Sequence, residues 1–335
     1  MNLSIKKTEK LIVVLGPTSS GKSDLAVKLA LWLNSKQSKK KFKIKGADVV
    51  SADSRQIYKG MDIGAGKITK KEMKKIPHYC LDIASPKRKF TVAQYKKSAL
   101  GAIKKIHQKE KIPILCGGSA FYIYAISQGI KMPEVPPDWQ LRKKLEKKSN
   151  KELLKILKKF DPERAKTIDK NNPRRLIRAV EIVLKTNRKI PRLKKIPIFK
   201  NLKIGVKKEP ETLKKLIKKR LLKRLSGKKM IKEIKNLQKS GLSWQRLEEF
   251  GLEYRFVSQY LQGKISYNEM IDFIQKEIQK AVFDDLSRLY KLRDAEVEQR
   301  ETYYFSILPL PGRFYPELKE DLKHALCLIL SKKGE

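Results

Sequence analysis

The chain has 335 residues, a formal net charge of +44, 40% hydrophobic and 8% aromatic residues. At roughly 150 residues per domain, that is about two domains or one domain with a large insertion. The apolar fraction belongs to a globular chain and excludes a disordered basic tail as the source of the charge, and so positive a surface attracts polyanions.

The cysteines, Cys80, Cys116 and Cys327, are too scattered for a disulfide framework or a zinc site of paired cysteines, which points to a reducing cytosol. The first ten residues are polar, and the apolar run LIVVLG after them is about one strand long. It is too short for a signal core or a membrane span, so the chain reads as soluble and cytoplasmic, with no membrane partner.

Residues 11–15 form a β-branched apolar run that stops at Gly16 and gives way to helical spacing at Leu25, Leu29, Ala30 and Leu33. Strand patterns return at 47–51, 79–83, 112–116 and 202–206, with a helical stretch over 91–109. Such alternation predicts an α/β fold, a parallel sheet covered by helices. From Met132 the texture changes: MPEVPPD is a connector, and charged amphipathic helices follow, striped by Leu141, Leu145, Leu153, Leu154 and Leu157. A helical insertion domain over 132–197 is therefore expected inside a core made of 1–131 and 198–280. The chain then runs through the basic helix LKKLIKKRLLKRL and ends in a segment, 281–335, left without site assignments.

Gly16-Pro-Thr-Ser-Ser-Gly-Lys-Ser23 fits G-x-x-x-x-G-K-[ST] between an apolar strand and a helix start, where a phosphate loop works. Its glycines let backbone N–H groups and the helix N-terminus point at a diphosphate or triphosphate. Lys22 adds a mobile positive charge, and the Ser23 hydroxyl is placed to hold Mg²⁺.

After the second strand comes Ser51-Ala-Asp53-Ser54-Arg55-Gln56. Ligands in open α/β sheets bind beyond the carboxyl ends of the strands, so Asp53 is expected near the phosphate loop. There it can orient Mg²⁺, take a proton from an attacking nucleophile, or simply cap a turn. Asp62 reads as structural. The Cys116-Gly-Gly-Ser119 run allows close backbone approach at the same rim, with Ser119 either a ligand donor or part of a tight turn. Asn172-Pro173 starts a helix on which Arg174 and Arg178 share a face, while Leu176, Ile177 and Val180 point inward. That face suits phosphates, or is a solvated surface with Glu181 beside Arg178.

Taken in order, GPTSSGKS at 16–23, SADSRQIYKGMDIGAGK at 51–67, PHYCLDIASP at 77–86, PILCGGSAFYIYAISQG at 113–129 and DPERAKTIDKNNPRRLIRAVEI at 161–182 resemble the tRNA dimethylallyltransferase (tRNA isopentenyltransferase) family. A weaker likeness, FGLEYRFVSQYLQGK, follows at 250–264. The resemblance implies a P-loop NTPase-like core and a reaction in which the dimethylallyl group of dimethylallyl diphosphate moves to N6 of the adenosine 3′-adjacent to the anticodon, releasing diphosphate. It implies that Gly16, Thr18, Ser19, Ser20, Gly21, Lys22 and Ser23 bind the donor diphosphate, with Ser23 the Mg²⁺ ligand and Thr18 near the bridging oxygen. Asp53 matches the general base, Ser54, Arg55 and Gln56 the run that contacts substrate, and Ser119, Arg142, Arg174, Arg175 and Arg178 positions that touch the tRNA anticodon stem-loop. The chain is expected to act as a monomer.

Two stretches depart from the family pattern. Pro210 stands where an arginine is usual, with Lys207 or Lys208 nearby to substitute, and the usual basic C-terminal stretch is replaced by one carrying Asp284 and Asp285. Two other functions share the phosphate loop or the charge: a P-loop kinase for a small molecule, and an RNA-binding protein without catalysis.

Overall fold

The apolar run that opens the sheet feeds two cores at once. Leu11, Val13 and Leu15 pack into one cluster and Ile12 and Val14 into another, as period-two alternation requires of a strand covered on both faces. In this computed structural model the chain is described over residues 9–191, 193–206, 208–278, 280, 302–303, 326 and 330. The strands β1 (Lys10–Leu15), β2 (Ala47–Ser51), β3 (His78–Tyr79), β4 (Ile112–Gly117), β5 (Lys200–Gly205) and β6 (Thr302–Tyr303) form a parallel sheet in the order β3-β2-β4-β1-β5-β6. The fold is α/β with a P-loop-like core, and none of the described helices is long and apolar enough to cross a membrane.

The helix Lys22–Leu33 covers one face through Ala26, Leu29, Ala30 and Leu33. On the other face lies the helix Val92–Gln108, started by a capping box between Thr91 and Gln94. Three later helices, Pro210–Leu225, Lys229–Lys239 and Leu252–Leu261, add Leu213, Ile217, Met230, Ile234, Tyr254 and Val257 to the same cluster.

Register sets the functional rim. Leu15 of β1 lies opposite Gly117 of β4 and Gly205 of β5, and Ser51 of β2 opposite Cys116, so the segments leaving β1, β2 and β4 emerge side by side. β1 is the switch point: the chain crosses from it to one side for β2 and β4 and to the other for β5.

The third strand is shorter than its apolar run suggested. Cys80 (φ 62°) and Asp82 (φ 54°) are left-handed, which ends the extended backbone after Tyr79, and Ala84 instead bridges Tyr58. β6, from the segment beyond residue 280, pairs in parallel with β5 through Lys203 opposite Thr302 and Ile204 opposite Tyr303. Leu326 and Leu330, also from the C-terminal segment, are buried against Ile12 and Val14, and Lys10 Nζ donates to the Leu330 carbonyl at 2.9 Å. Asp284 and Asp285 lie outside the described residues.

Residues Ile130–Ile196 form a compact unit of their own, distinct from one made of Met1–Gly129 and Pro197–Glu335. The smaller unit contains the helices Trp139–Leu145, Asn150–Phe160, Pro162–Thr167 and Pro173–Thr186 around buried Leu145, Leu153, Leu157, Leu176 and Val180.

Candidate active site

The phosphate loop is short of partners. Ser19 is left-handed (φ 64°), a conformation that costs a non-glycine residue roughly 1–2 kcal/mol. The helix behind it begins on Gly21 (φ 96°), which has no side chain to cap the first-turn N–H groups. The Ser19 and Ser20 hydroxyls are buried without a hydrogen bond. Unpaired buried hydroxyls, uncapped N–H groups and a strained residue in one turn form a cradle for an anion. Gly16 must be glycine, because a Cβ there would lie 2.9 Å from the Val206 carbonyl oxygen. Thr18 and Ser23 are exposed at the mouth. Lys22 Nζ donates to the Pro17 carbonyl at 3.1 Å and lies against Gly118, so its charge spans the ends of β1 and β4.

Asp53 begins a tight turn beside this cradle. Its Oδ1 accepts from Arg55 N (2.8 Å) and Gln56 N (3.3 Å), and among the described residues its Oδ2 accepts no hydrogen bond. The turn reading of Asp53 therefore holds for one oxygen, and the other remains available for chemistry. Ser119 Oγ accepts from Ser54 N at 2.9 Å, and Ser119 N donates to Ala52 O at 3.2 Å, tying the end of β4 to this turn. A Cβ on Gly117 would overlap the Ala52 carbonyl, so Gly117 is what lets the two loops cross. Ser23 and Gln56 line one small cavity with His78 and Cys116, while Lys22 against Gly118 and Ser54 N on Ser119 Oγ bring the cradle and the turn to the same end of β4. Burial holds the His78 imidazole below its usual range, although the Ile76 carbonyl opposes the shift.

Beneath the turn, Tyr95 donates to the Ser51 carbonyl at 2.9 Å and stacks on Tyr122 with ring centroids 3.8 Å apart. Burial pushes the Cys80 thiol up to about 12 and the Cys116 thiol up to about 11, so both are un-ionised and poor nucleophiles at neutral pH. Cys327 lies outside the described residues.

A second wall comes from helices that local sequence patterns did not connect to the site. Gln56 Nε2 (3.2 Å) and Arg220 Nη2 (3.0 Å) both donate to Gly66 O. Arg224 donates to Gly64 O at 3.3 Å and to Glu253 at 2.8 Å. Arg220 and Arg224 are the arginines, four apart, of a run otherwise basic through lysine, and that spacing was the one available signal. Pro210 occupies the first turn of the same helix, where its missing N–H is no loss. Lys207 lies outside the described residues. Asp62 is structural: it holds Lys67, which also binds Asp82 and the Tyr58 carbonyl.

The arginines of the smaller unit divide in two. Glu181 is fully buried and accepts from Arg142 Nε (2.8 Å) and Nη2 (2.7 Å), from Asp138 N (2.7 Å) and from Arg178 Nη1. Burial raises the Glu181 carboxyl, but these donors outweigh it and hold the group below the ordinary carboxylate range. Arg178 also donates to the Val135 carbonyl at 2.9 Å, and Arg142 lies over the Trp139 ring at 4.8 Å. Of the two readings of the Arg174 and Arg178 face, Arg178 meets the one with Glu181 beside it: Arg178 and Arg142 turn toward Glu181 because a buried carboxylate must be paired. Arg174 is exposed with no carboxylate partner among the described residues, and Arg175 makes a loose 3.5 Å pair with Asp169.

The IPP transferase family model matches residues 56–281. The chain belongs to that family. Members similar to it include tRNA dimethylallyltransferase 1 of Syntrophus aciditrophicus, 36% identical over 94% of this chain and 98% of the relative. Another, from Azobacteroides pseudotrichonymphae, bears the same name and is 40% identical over 78% of this chain and 82% of its own length. Among solved IPP transferase structures, the full-length tRNA isopentenylpyrophosphate transferase of Bacillus halodurans matches with a TM-score of 0.66 and 27% identity, over 96% of this chain and 97% of that one.

Proposed function

We propose that the protein transfers the dimethylallyl group of dimethylallyl diphosphate to N6 of the adenosine 3′-adjacent to the anticodon in tRNA, giving N6-dimethylallyladenosine and diphosphate. One observation carries the reading: an anion cradle with unpaired hydroxyls and the turn of a carboxylate that keeps one oxygen unbonded both abut the segment leaving β4. Membership of the IPP transferase family and the +44 charge, which suits a folded RNA, support it.

The residues divide the work as follows. Gly16, Thr18, Ser19, Ser20, Gly21, Lys22 and Ser23 hold the diphosphate, with Thr18 near the bridging oxygen. The cradle fits Mg²⁺ as well, since the hydroxyl of Ser23, an exposed residue at the start of the helix beside Lys22, is an oxygen donor that would hold the ion. When bound there, Mg²⁺ supplies positive charge to the diphosphate oxygens. The adenine amine is a weak nucleophile, because its lone pair is delocalised into the ring. Asp53 Oδ2 accepts the N6 proton as the N6–C bond forms and the allylic C–O bond breaks, its electrons leaving on diphosphate. Lys22 and the loop N–H groups take up the charge gathering on the leaving oxygen. Ser54, Arg55, Gln56 and Ser119 border the acceptor base, which closes the pocket against water once extruded from its stack. Arg174 and Arg175 meet RNA phosphates, and Arg142 and Arg178 contribute by shaping that unit. We take a monomer as the working unit, and the free cysteines Cys80 and Cys116 suit a cytoplasmic setting.

The test is to incubate the protein with Mg²⁺, labelled dimethylallyl diphosphate and unmodified tRNA. Label in the RNA is the expected result. Transfer of the γ-phosphate of ATP to a small molecule would replace this reading with a kinase, and tRNA binding without transfer would leave a non-catalytic relative.

A further inference from the structure

Four successive backbone N–H groups, from Asp62 to Ala65, converge on two side chains of the later helices. Asp62 N and Ile63 N donate to Glu233 Oε2 at 2.9 and 2.6 Å, and Gly64 N donates to Oε1 at 3.0 Å. The Tyr254 hydroxyl donates to Glu233 Oε1 at 2.9 Å and accepts from Ala65 N at 3.1 Å. A concave run of amides of this kind is an anion nest, and here the anion is the chain's own carboxylate. Space is equally tight, since a Cβ on Gly64 would lie 2.6 Å from the buried Tyr254 ring.

The nest leads directly to the reacting rim. The next residue, Gly66, offers its carbonyl to Gln56 Nε2, and Gln56 N is one of the two donors that fix Asp53 Oδ1. The connection 60–67 has no regular element and is held locally by two backbone bonds, Gly66 N to Ile63 O at 3.0 Å and Lys67 N to Asp62 O at 2.8 Å, so its placement against the rim depends on side chains from elsewhere. Without the carboxylate the nest amides lose their acceptor, and Arg220 on Gly66 O and Arg224 on Gly64 O are left as the side-chain bonds that hold the Gln56 anchor in place.

We propose that Glu233, supported by Tyr254, is a positioning residue for the transfer reaction, setting the orientation of Asp53 through Gly66 and Gln56 without touching either substrate. This rests on the function proposed above. A misplacement of about 1 Å can cost 10²-fold in rate, so the effect belongs in kcat.

Glu233→Gln and Tyr254→Phe test it in the full chain, with kcat, KM for donor and for tRNA, and backbone hydrogen exchange read by mass spectrometry. Glu233→Gln is expected to lower kcat by about 10-fold to 100-fold with both KM values within about threefold, and Tyr254→Phe by about 3-fold to 10-fold. Both variants should speed exchange at residues 54–56 as well as at 62–65. An unchanged kcat, a loss confined to KM, or faster exchange restricted to 62–65 would each overturn the proposal. If Glu233→Gln does not fold, Tyr254→Phe, which keeps the ring against Gly64, decides by the same criteria. Should the wild-type protein transfer nothing to tRNA, the function proposed above fails, and exchange at 54–56 alone decides whether Glu233 governs the Asp53 turn.

Discussion

The phosphate loop and the Glu181 cluster are both dense in polar groups, and they differ in what is left over. Around Glu181 each carboxylate oxygen is bonded, Arg142 is held by two bonds, and Arg178 divides between Glu181 and a carbonyl. In the phosphate loop two hydroxyls are buried and unbonded, one serine is strained, and the helix start is uncapped. A network complete within the protein has no polar group left to offer, whereas the phosphate loop keeps two hydroxyls and its first-turn N–H groups for an anion. On this comparison, substitutions at the rim should change chemistry far more than stability, and substitutions around Glu181 the reverse.

The largest effect is expected at Asp53. Asp53→Asn keeps an oxygen for the Arg55 and Gln56 amides but cannot accept a proton, whereas Asp53→Ala loses both roles. Both should lower the transfer rate by roughly 10²-fold to 10⁴-fold while tRNA affinity stays within about threefold. A near wild-type rate in Asp53→Asn would reduce the residue to its turn. Next comes Lys22→Ala, for which donor turnover should fall by roughly 10²-fold to 10³-fold with the melting temperature little changed. A variant that instead unfolds, with its remaining folded fraction fully active, would place the loop in the same class as Glu181.

How far these contrasts were legible in the sequence depends on the range of the interactions. The strands at 47–51 and 112–117 and the phosphate loop could be read because apolar runs and glycine spacing act over a few residues. The end of β3 could not, since left-handed Cys80 and Asp82 carry no sequence mark. Glu233 and Ile63 are 170 positions apart, and Arg142 and Glu181 are 39, so neither pair enters any local period. Basic residues look alike in sequence until their acceptor is known, so the bonds of Arg142 and Arg178 to Glu181 needed the fold to be seen.

Glu181→Gln should sharpen the stability side. Removing a buried charge that pairs two guanidinium groups costs about 3 kcal/mol when all are buried, and about 2 kcal/mol is expected here because Arg142 and Arg178 are partly exposed. The Glu181 carboxyl is held below its ordinary value of 4.5, so its stabilisation is complete above that pH and is lost as pH falls through the lower folded value. Thermal denaturation should therefore show wild type and Glu181→Gln converging in acid. Parallel curves down to pH 3 would mean that the carboxylate carries no such linkage.

The smallest effect is expected at Arg174, the counterpart of Arg178 on the same helix. It is exposed and pairs with no carboxylate among the described residues, so Arg174→Ala should change stability by no more than about 0.5 kcal/mol. If its guanidinium meets an RNA phosphate, binding weakens at low salt and the slope of log affinity against log salt falls by about 0.7 to 0.9, the counterions released at one phosphate. Arg178→Ala should do the opposite, lowering the melting temperature through Glu181 and leaving the salt slope near wild type. Equal slopes for Arg174→Ala and wild type would return the outer face of this helix to simple solvation, and a fall in slope for Arg178→Ala alone would reverse the division between inward and outward arginines.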